Sequence, residues 1–356
     1  MSFTKVTLAA LMVTSGIFIS HGAVATDGAY KEARSCGEKP EIITDGGIMD
    51  WFVNAFFWLE NPDKNDSILP IDGGTEADLH TQQAKSGSVK PPRGLTRHFE
   101  RNIHVEFADS GYLHFFRDQS NPAARALLYL HGGAYVQPLG YWHWKFLEEL
   151  AGAASNHDMD MFVLDYPLAP AFTLDAIEQQ TLQAYRILLE QYPAETIAIA
   201  GDSAGGHLAL NLMLQLKAED TNILPGKAVL IAPWVDLYID NRDKYPNIDR
   251  LLKRDKMLNM SDLRFAADSV KGDRHEDSPL ASPINADLNG LPSILMTAST
   301  SDALFDQNCV LQKKLEASTT SSTLLVGIDQ QHVFPLFPNR AGAEARKAIS
   351  AFIDAP

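Results

Sequence analysis

The stretch Ala200-Gly201-Asp202-Ser203-Ala204-Gly205-Gly206 constrains this chain more than any other. Thr196-Ile197-Ala198-Ile199 precedes it, short, apolar and β-branched, the pattern of a buried strand. His207 to Leu214 follows, with the apolar content of a packed helix. Between them Gly201, Ser203 and Gly205 satisfy G-x-S-x-G. A serine at a sharp strand-to-helix turn sits on strained backbone, and its neighbours must be small for the chains to pass. The following helix N-terminus then favours negative charge developing at the hydroxyl. The plain alternative is a Gly/Ser-rich turn without chemistry, so the rest of the chain has to decide.

The 356 residues, 45% hydrophobic and 21% charged, suit one large or two ordinary globular domains. A net charge of −15 argues against nucleic acid and against anionic membrane surfaces as partners. Residues 1–25 read as a signal peptide: Lys5 gives a positive start, Val6 to Ile19 is mostly apolar, and Ala23-Val24-Ala25 is an A-x-A cleavage site. The apolar run falls short of the ~20 residues of a stable membrane span. The expectation is export, periplasmic or secreted; the alternative is a retained N-terminal anchor. Two cysteines, Cys36 and Cys309, show no metal-ligand spacing and leave open a disulfide or two thiols.

Residues 26–98 read as an N-terminal arm and cap segment. Residues 26–45 are expected to be irregular. Phe52, Ala55, Phe56 and Leu59 lie on one helical face, widened by Trp51 and Trp58; the helix either packs on a core or lines a pocket. Residues 61–95 lack a period and form a long connection. From residue 99 to 356 the pattern changes. Asn102 to Phe107 and Tyr112 to Arg117 read as a hairpin, and Ala126 to Leu130 as a third strand running into His131-Gly132-Gly133-Ala134-Tyr135. Strands then alternate with helices, apart from the charged stretch 238–285, an insertion or second cap segment. Such alternation implies an α/β fold: a mostly parallel sheet with helices on both faces and ligands at the carboxyl ends of its strands.

Three motifs fall at such ends: Ser203, Thr300-Ser301-Asp302, and Gln331-His332-Val333-Phe334. A serine, an aspartate and a histidine there suit acyl transfer. His332 takes the serine proton, Asp302 holds the imidazole tautomer, and Ser203 attacks a carbonyl. Against this, a histidine is more often structural, and an aspartate after a strand is often only a helix N-cap. Asp306 and Asp202 are rivals for the acid. The glycines of the 131–135 loop expose N–H groups suited to an oxyanion. The expected donors are Gly133, Ala134 and Ala204, with Gly132 either contributing or merely permitting the turn. No P-loop and no G-x-G-x-x-G opens a helix after a strand, so no nucleotide cofactor and no metal is implied.

These motifs, with Asp165 to Pro170, Pro233 to Leu237 and Asp302-Ala303-Leu304-Phe305-Asp306, resemble the hormone-sensitive-lipase-like family of α/β-hydrolase carboxylesterases from about residue 100 onward. The resemblance implies an α/β-hydrolase fold with a helical cap, built in part from residues before the first strand. It implies a serine carboxylesterase acting on small-molecule esters of short to medium acyl chains. The stretch from His131 through Trp144 is similar to relatives of steryl acetyl hydrolases, which admits an acetyl ester. Three positions depart from the family: Ala134 replaces the third glycine of the loop, Ala171 replaces an acidic residue, and Val333 replaces the glycine after the histidine. An amidase, deacetylase or lactonase on the same residues, and a silent binding protein on the same scaffold, are the rival readings. Oligomeric state is not legible in the sequence.

Overall fold

The computed structural model describes residues 27–44, 101–106, 111–117, 123–153 and 159–355. The signal-peptide reading of 1–25, the aromatic helix at 48–60 and the connection 61–95 lie outside the described residues. Nine strands form one sheet among the described residues: β1 (Glu41–Ile43), β2 (Arg101–Glu106), β3 (Tyr112–Arg117), β4 (Arg125–Leu130), β5 (Met159–Asp165), β6 (Ile197–Asp202), β7 (Lys227–Ile231), β8 (Ser293–Ser299) and β9 (Ser322–Gly327). Their spatial order is β1-β9-β8-β7-β6-β4-β5-β3-β2. β3 runs antiparallel to β2 and to β5, and every other neighbouring pair is parallel.

The apolar runs of the central strands are continuous because both faces are covered. Side chains alternate between the two faces with period 2. Leu128, Ile199, Leu230, Met296 and Leu324 enter one core, while Leu127, Ala198, Val229, Leu295 and Leu325 enter the other. The first core is closed by α1 (Asp27–Arg34), α3 (Leu174–Leu189), α4 (Ala204–Glu219), α5 (Ile248–Arg254), α6 (Met260–Val270) and α7 (Phe305–Glu316). The second is closed by α2 (Tyr141–Ala153) and α8 (Arg340–Asp354). Burial of each Leu, Ile or Val side chain contributes about 1.5–3 kcal/mol, so this double layer dominates the stability.

Three expectations need correction. Residues 26–45 are not irregular throughout: they hold α1, with Ala29 and Ala33 buried four residues apart, and β1. β1 is too short for a periodic signal. It is a strand because the free edge of β9 offers unpaired N–H and C=O groups, and Glu41, Ile42 and Ile43 pair there in parallel. A disulfide between Cys36 and Cys309 of α7 fastens this segment. Second, the nucleophile-motif strand does not stop at Ile199. It runs to Asp202, because Ala200, Gly201 and Asp202 pair with Val229, Leu230 and Ile231 of β7. Third, α4 begins at Ala204 rather than His207, overriding the poor helix propensity of Gly205 and Gly206. A Cβ on Gly205 would strike the carbonyls of Leu130 and His131. The space between α4 and β4 therefore admits no side chain.

The charged segment 238–285 packs against the rest of the molecule. It contributes α5 and α6 to the larger core through Ile248, Leu251, Leu263, Ala266 and Ala267.

Candidate active site

Ser203 sits between β6 and α4 with φ 51° and ψ −116°. A conformation of this kind costs about 1–3 kcal/mol and persists only where its surroundings fix it. Here its N–H donates to Ile231 O at 2.8 Å, and its carbonyl accepts from the N–H groups of Trp234 and His207 at 3.0 and 3.1 Å. The hydroxyl therefore projects from the carboxyl end of the sheet with little freedom.

β9 ends at Gly327, and the chain turns back over the sheet to His332. Thr300 N–H donates to Gly327 O at 3.1 Å, Asp329 N–H donates to Thr300 Oγ1 at 2.9 Å, and the Ser299 hydroxyl donates to Gln330 O. The loops after β8 and β9 are thus one tied unit. It brings His332 Nε2 to 2.9 Å from Ser203 Oγ and His332 Nδ1 to 2.8 Å from Asp302 Oδ2. With Nδ1–H donating to the carboxylate, Nε2 is left to accept from the hydroxyl. All three side chains are buried, Asp302 completely. Burial by itself would lower the His332 pKa; the charge and hydrogen bond of Asp302, with Asp255 and Asp202 behind them, outweigh it and hold the imidazole above its ordinary value.

Asp302 and Asp306 are separated in space as well as in sequence. Asp302 Oδ1 accepts the Leu304 N–H at 2.8 Å, which fixes the carboxylate that faces His332. Asp306, inside α7, accepts from the backbone N–H and the side-chain amide of Asn247 at 2.8 and 3.1 Å. It secures the start of α5 and does not contact His332.

In the loop after β4, Gly133, Ala134 and Tyr135 all have positive φ, 111°, 52° and 64°. The N–H groups of Gly133, Ala134 and Ala204 have no acceptor among the described residues. Gly132 differs. Its N–H donates to Asp202 Oδ1 at 2.9 Å, so it is not free to bind an oxyanion. A Cβ at Gly132 would collide with the Asp202 carboxylate. Its role is close approach, and it leaves the set of expected donors.

Asp202 holds this loop from beneath. It is buried, accepts from the Tyr129 hydroxyl and from Gly132, and has His143 Nε2 3.5 Å away. Burial alone would raise its pKa; the His143 ring and the Tyr129 hydroxyl outweigh it and leave the carboxyl below its ordinary range. His131 is buried and stacked on Tyr166 with ring centroids 4.1 Å apart, and burial takes its pKa down to about 3. It is a neutral structural histidine. So is His207, lowered to about 4 by burial and bonded to the Tyr135 hydroxyl at 2.6 Å and to Ala281 O at 3.1 Å.

Sequence reasoning missed one residue at the site. Asp255, from the charged 238–285 segment, is buried and accepts the Ala303 N–H at 2.8 Å, one residue beyond Asp302. A single aspartate among many charges in that stretch carries no pattern that sets it apart.

Comparison with known proteins bears on the fold and on the class of activity. The sequence profile of the alpha/beta hydrolase fold family matches residues 127–336. An acetyl-hydrolase of Streptomyces hygroscopicus is 32% identical over 237 residues, 64% of this chain and 75% of that protein. A carboxylesterase/phospholipase, LipF, of Mycobacterium tuberculosis is 32% identical over 60% of this chain and 57% of its own length. Among solved structures, an esterase/lipase from an uncultured bacterium aligns with a TM-score of 0.69 at 25% identity, covering 86% of this chain and 98% of that one. An esterase from the bacterial hormone-sensitive lipase family has the same fold, with a TM-score of 0.67 over 85% of this chain and 97% of its own at 24% identity. The protein belongs to the alpha/beta hydrolase fold family and is a carboxylic ester hydrolase.

Proposed function

We propose that this carboxylic ester hydrolase acts by acyl transfer through Ser203, His332 and Asp302, on esters of short to medium acyl chain. His332 Nε2 takes the Ser203 proton as the oxygen attacks the ester carbonyl. The resulting oxyanion accepts from the N–H groups of Gly133, Ala134 and Ala204; one such donor is worth roughly 10²–10³ in kcat. The imidazolium returns its proton to the leaving alkoxide, which departs as the alcohol and leaves an acyl-serine. Water then attacks that acyl group with His332 again as base, releasing the acid and restoring the hydroxyl. Asp302 keeps Nδ1 protonated and stabilises the imidazolium. The observation that carries this reading is the placement of the His332 ring, 2.9 Å from the serine oxygen on one side and 2.8 Å from a buried carboxylate on the other.

The acetyl-hydrolase relative supports a small acyl group. The segment 238–285 is read as a second cap segment, supported by the Ala303 contact of Asp255 and by Lys256 N–H donating to Gln331 Oε1 at 3.0 Å. Export after Ala25 is supported by the sequence of residues 1–25 and by the Cys36–Cys309 disulfide, a pairing that needs an oxidising compartment. Rates on p-nitrophenyl acetate, butyrate and palmitate, set beside the matching anilides, test the function. Fastest kcat/KM on acetate or butyrate is expected. Preference for the anilides would make the protein an amidase, preference for palmitate would overturn the chain-length reading, and no turnover of any would leave a binding protein.

A further inference from the structure

One carboxylate at the site has no part in the chemistry above. Asp255 ends α5 and is 5% exposed. Its Oδ1 accepts the N–H groups of Met257 and Leu258 at 2.7 and 2.9 Å, closing a turn within its own segment. Its Oδ2 leaves that turn and accepts the Ala303 N–H at 2.8 Å. The next N–H along, that of Leu304, goes to Asp302 Oδ1 at the same distance. Successive N–H groups at the head of α7 are therefore divided between two buried carboxylates, one of which holds His332. A turn alone does not account for this. An asparagine makes the same turn with no charge to bury, and here a second negative charge is buried beside the first against the cost of desolvation.

We propose that Asp255 is a positioning residue of the ester-hydrolase site: through the Ala303 N–H it fixes the loop that carries Asp302, and it adds a second negative charge behind His332. The proposal rests on the Ser203–His332–Asp302 reading. The charged groups around this corner come from five elements, one of them β6, whose Asp202 also raises His332. Asp302 lies on the loop after β8, and His332 and Asp329 on the loop after β9. Glu32 lies on α1. Arg254 neighbours Asp255 on α5, but its guanidinium turns to Thr300 O at 3.3 Å, Asp329 at 3.6 Å and Glu32 at 3.8 Å. Burial and the Asp302 charge raise the Asp255 carboxyl to about 6, against the pull of His332, and Asp255 in turn raises His332.

Asp255→Asn tests this with p-nitrophenyl acetate. The asparagine oxygen preserves the turn, while its amide donates where Ala303 needs an acceptor. kcat should fall about tenfold or more with KM little changed. Removing a negative neighbour disfavours the imidazolium, so the acid limb of kcat/KM should move to lower pH by about half a unit or more. Asp255→Ser, which keeps a turn acceptor without charge, should move the limb the same way and covers the case in which the asparagine variant does not fold. Asp306→Asn is the control and should leave the limb in place. A limb unmoved in the Asp255 variants, with kcat and melting temperature falling together, would reduce Asp255 to a structural role and overturn the proposal. Ser203→Ala and His332→Ala are run alongside. Turnover in those two refutes the triad itself, whereas their inactivity with an unmoved limb refutes only the part given to Asp255.

Discussion

Val333 sits directly after His332 with φ 51° and ψ 36°, in the left-handed region that a β-branched residue rarely enters. Ala134 shares the strain at φ 52°. These are two of the positions where the resemblance drawn from the sequence expects glycine, and glycine enters such backbone angles without strain. At Val333 the magnitudes oppose each other: strain costs about 1–3 kcal/mol, and burial of the side chain returns about 1.5–3. Substitution should therefore invert the usual order. Val333→Ala loses burial and keeps the strain, so it should lower stability by about 1–2 kcal/mol, whereas Val333→Gly also releases the strain and should stay within about 1 kcal/mol of wild type. Urea unfolding of both variants checks this, and alanine proving the more stable would refute the strain argument. His332 makes a second prediction at this scale. In the proposed mechanism it is the base and must be neutral, and Asp302 holds its pKa above the ordinary imidazole value, so kcat/KM should fall as pH drops through a value above that of a free imidazole. A limb below that value would contradict the raised imidazole.

Among the elements, the head of α7 does the most sorting. Asp302 lies before the helix and faces His332; Asp306 lies within it and faces Asn247. Asp302→Asn should cost about 10⁴ in kcat by allowing the wrong imidazole tautomer, with little change in melting temperature. Asp306→Asn should keep its activity and lose on the order of 1 kcal/mol of stability. An inactive Asp306 variant beside an active Asp302 variant, in paired assays of kcat and melting temperature, would reverse the assignment. The alternation of strands and helices and the loops that carry Ser203, Asp302 and His332 were legible because buried parallel strands are short apolar runs and the site follows their ends. Element boundaries were less legible. β6 runs on to Asp202 and α4 starts at Ala204 because β7, β4 and Pro233 press on the turn, and local propensity does not register those neighbours. Which of its two readings holds for Gly132 was hidden for the same reason: its partner, Asp202, is on another strand.

At the scale of the whole molecule, the N-terminal residues were the least legible. β1 exists because β9 has a free edge, and α1 is held by Cys36–Cys309, 273 residues apart in sequence, and by ion pairing of Glu32 with Arg250 and Arg254. Only tertiary contact makes such a segment ordered. Replacing both cysteines by serine should cost about 2–4 kcal/mol, because the crosslink no longer restricts the unfolded chain. The melting temperature of the double variant should match that of reduced wild type while esterase activity at 25 °C remains; an unchanged melting temperature would refute a stabilising role. The larger claim is that sheet, tied loops and strained turn converge to make one serine nucleophilic. Burst kinetics of p-nitrophenyl acetate with wild type and Ser203→Ala, read together with the mass of the quenched protein, test it most directly. Wild type should carry one acetyl group on Ser203, and the folded alanine variant should carry none and lose activity by about 10⁴ or more. Wild-type turnover in that variant, or an acetyl group on another residue, would contradict the account.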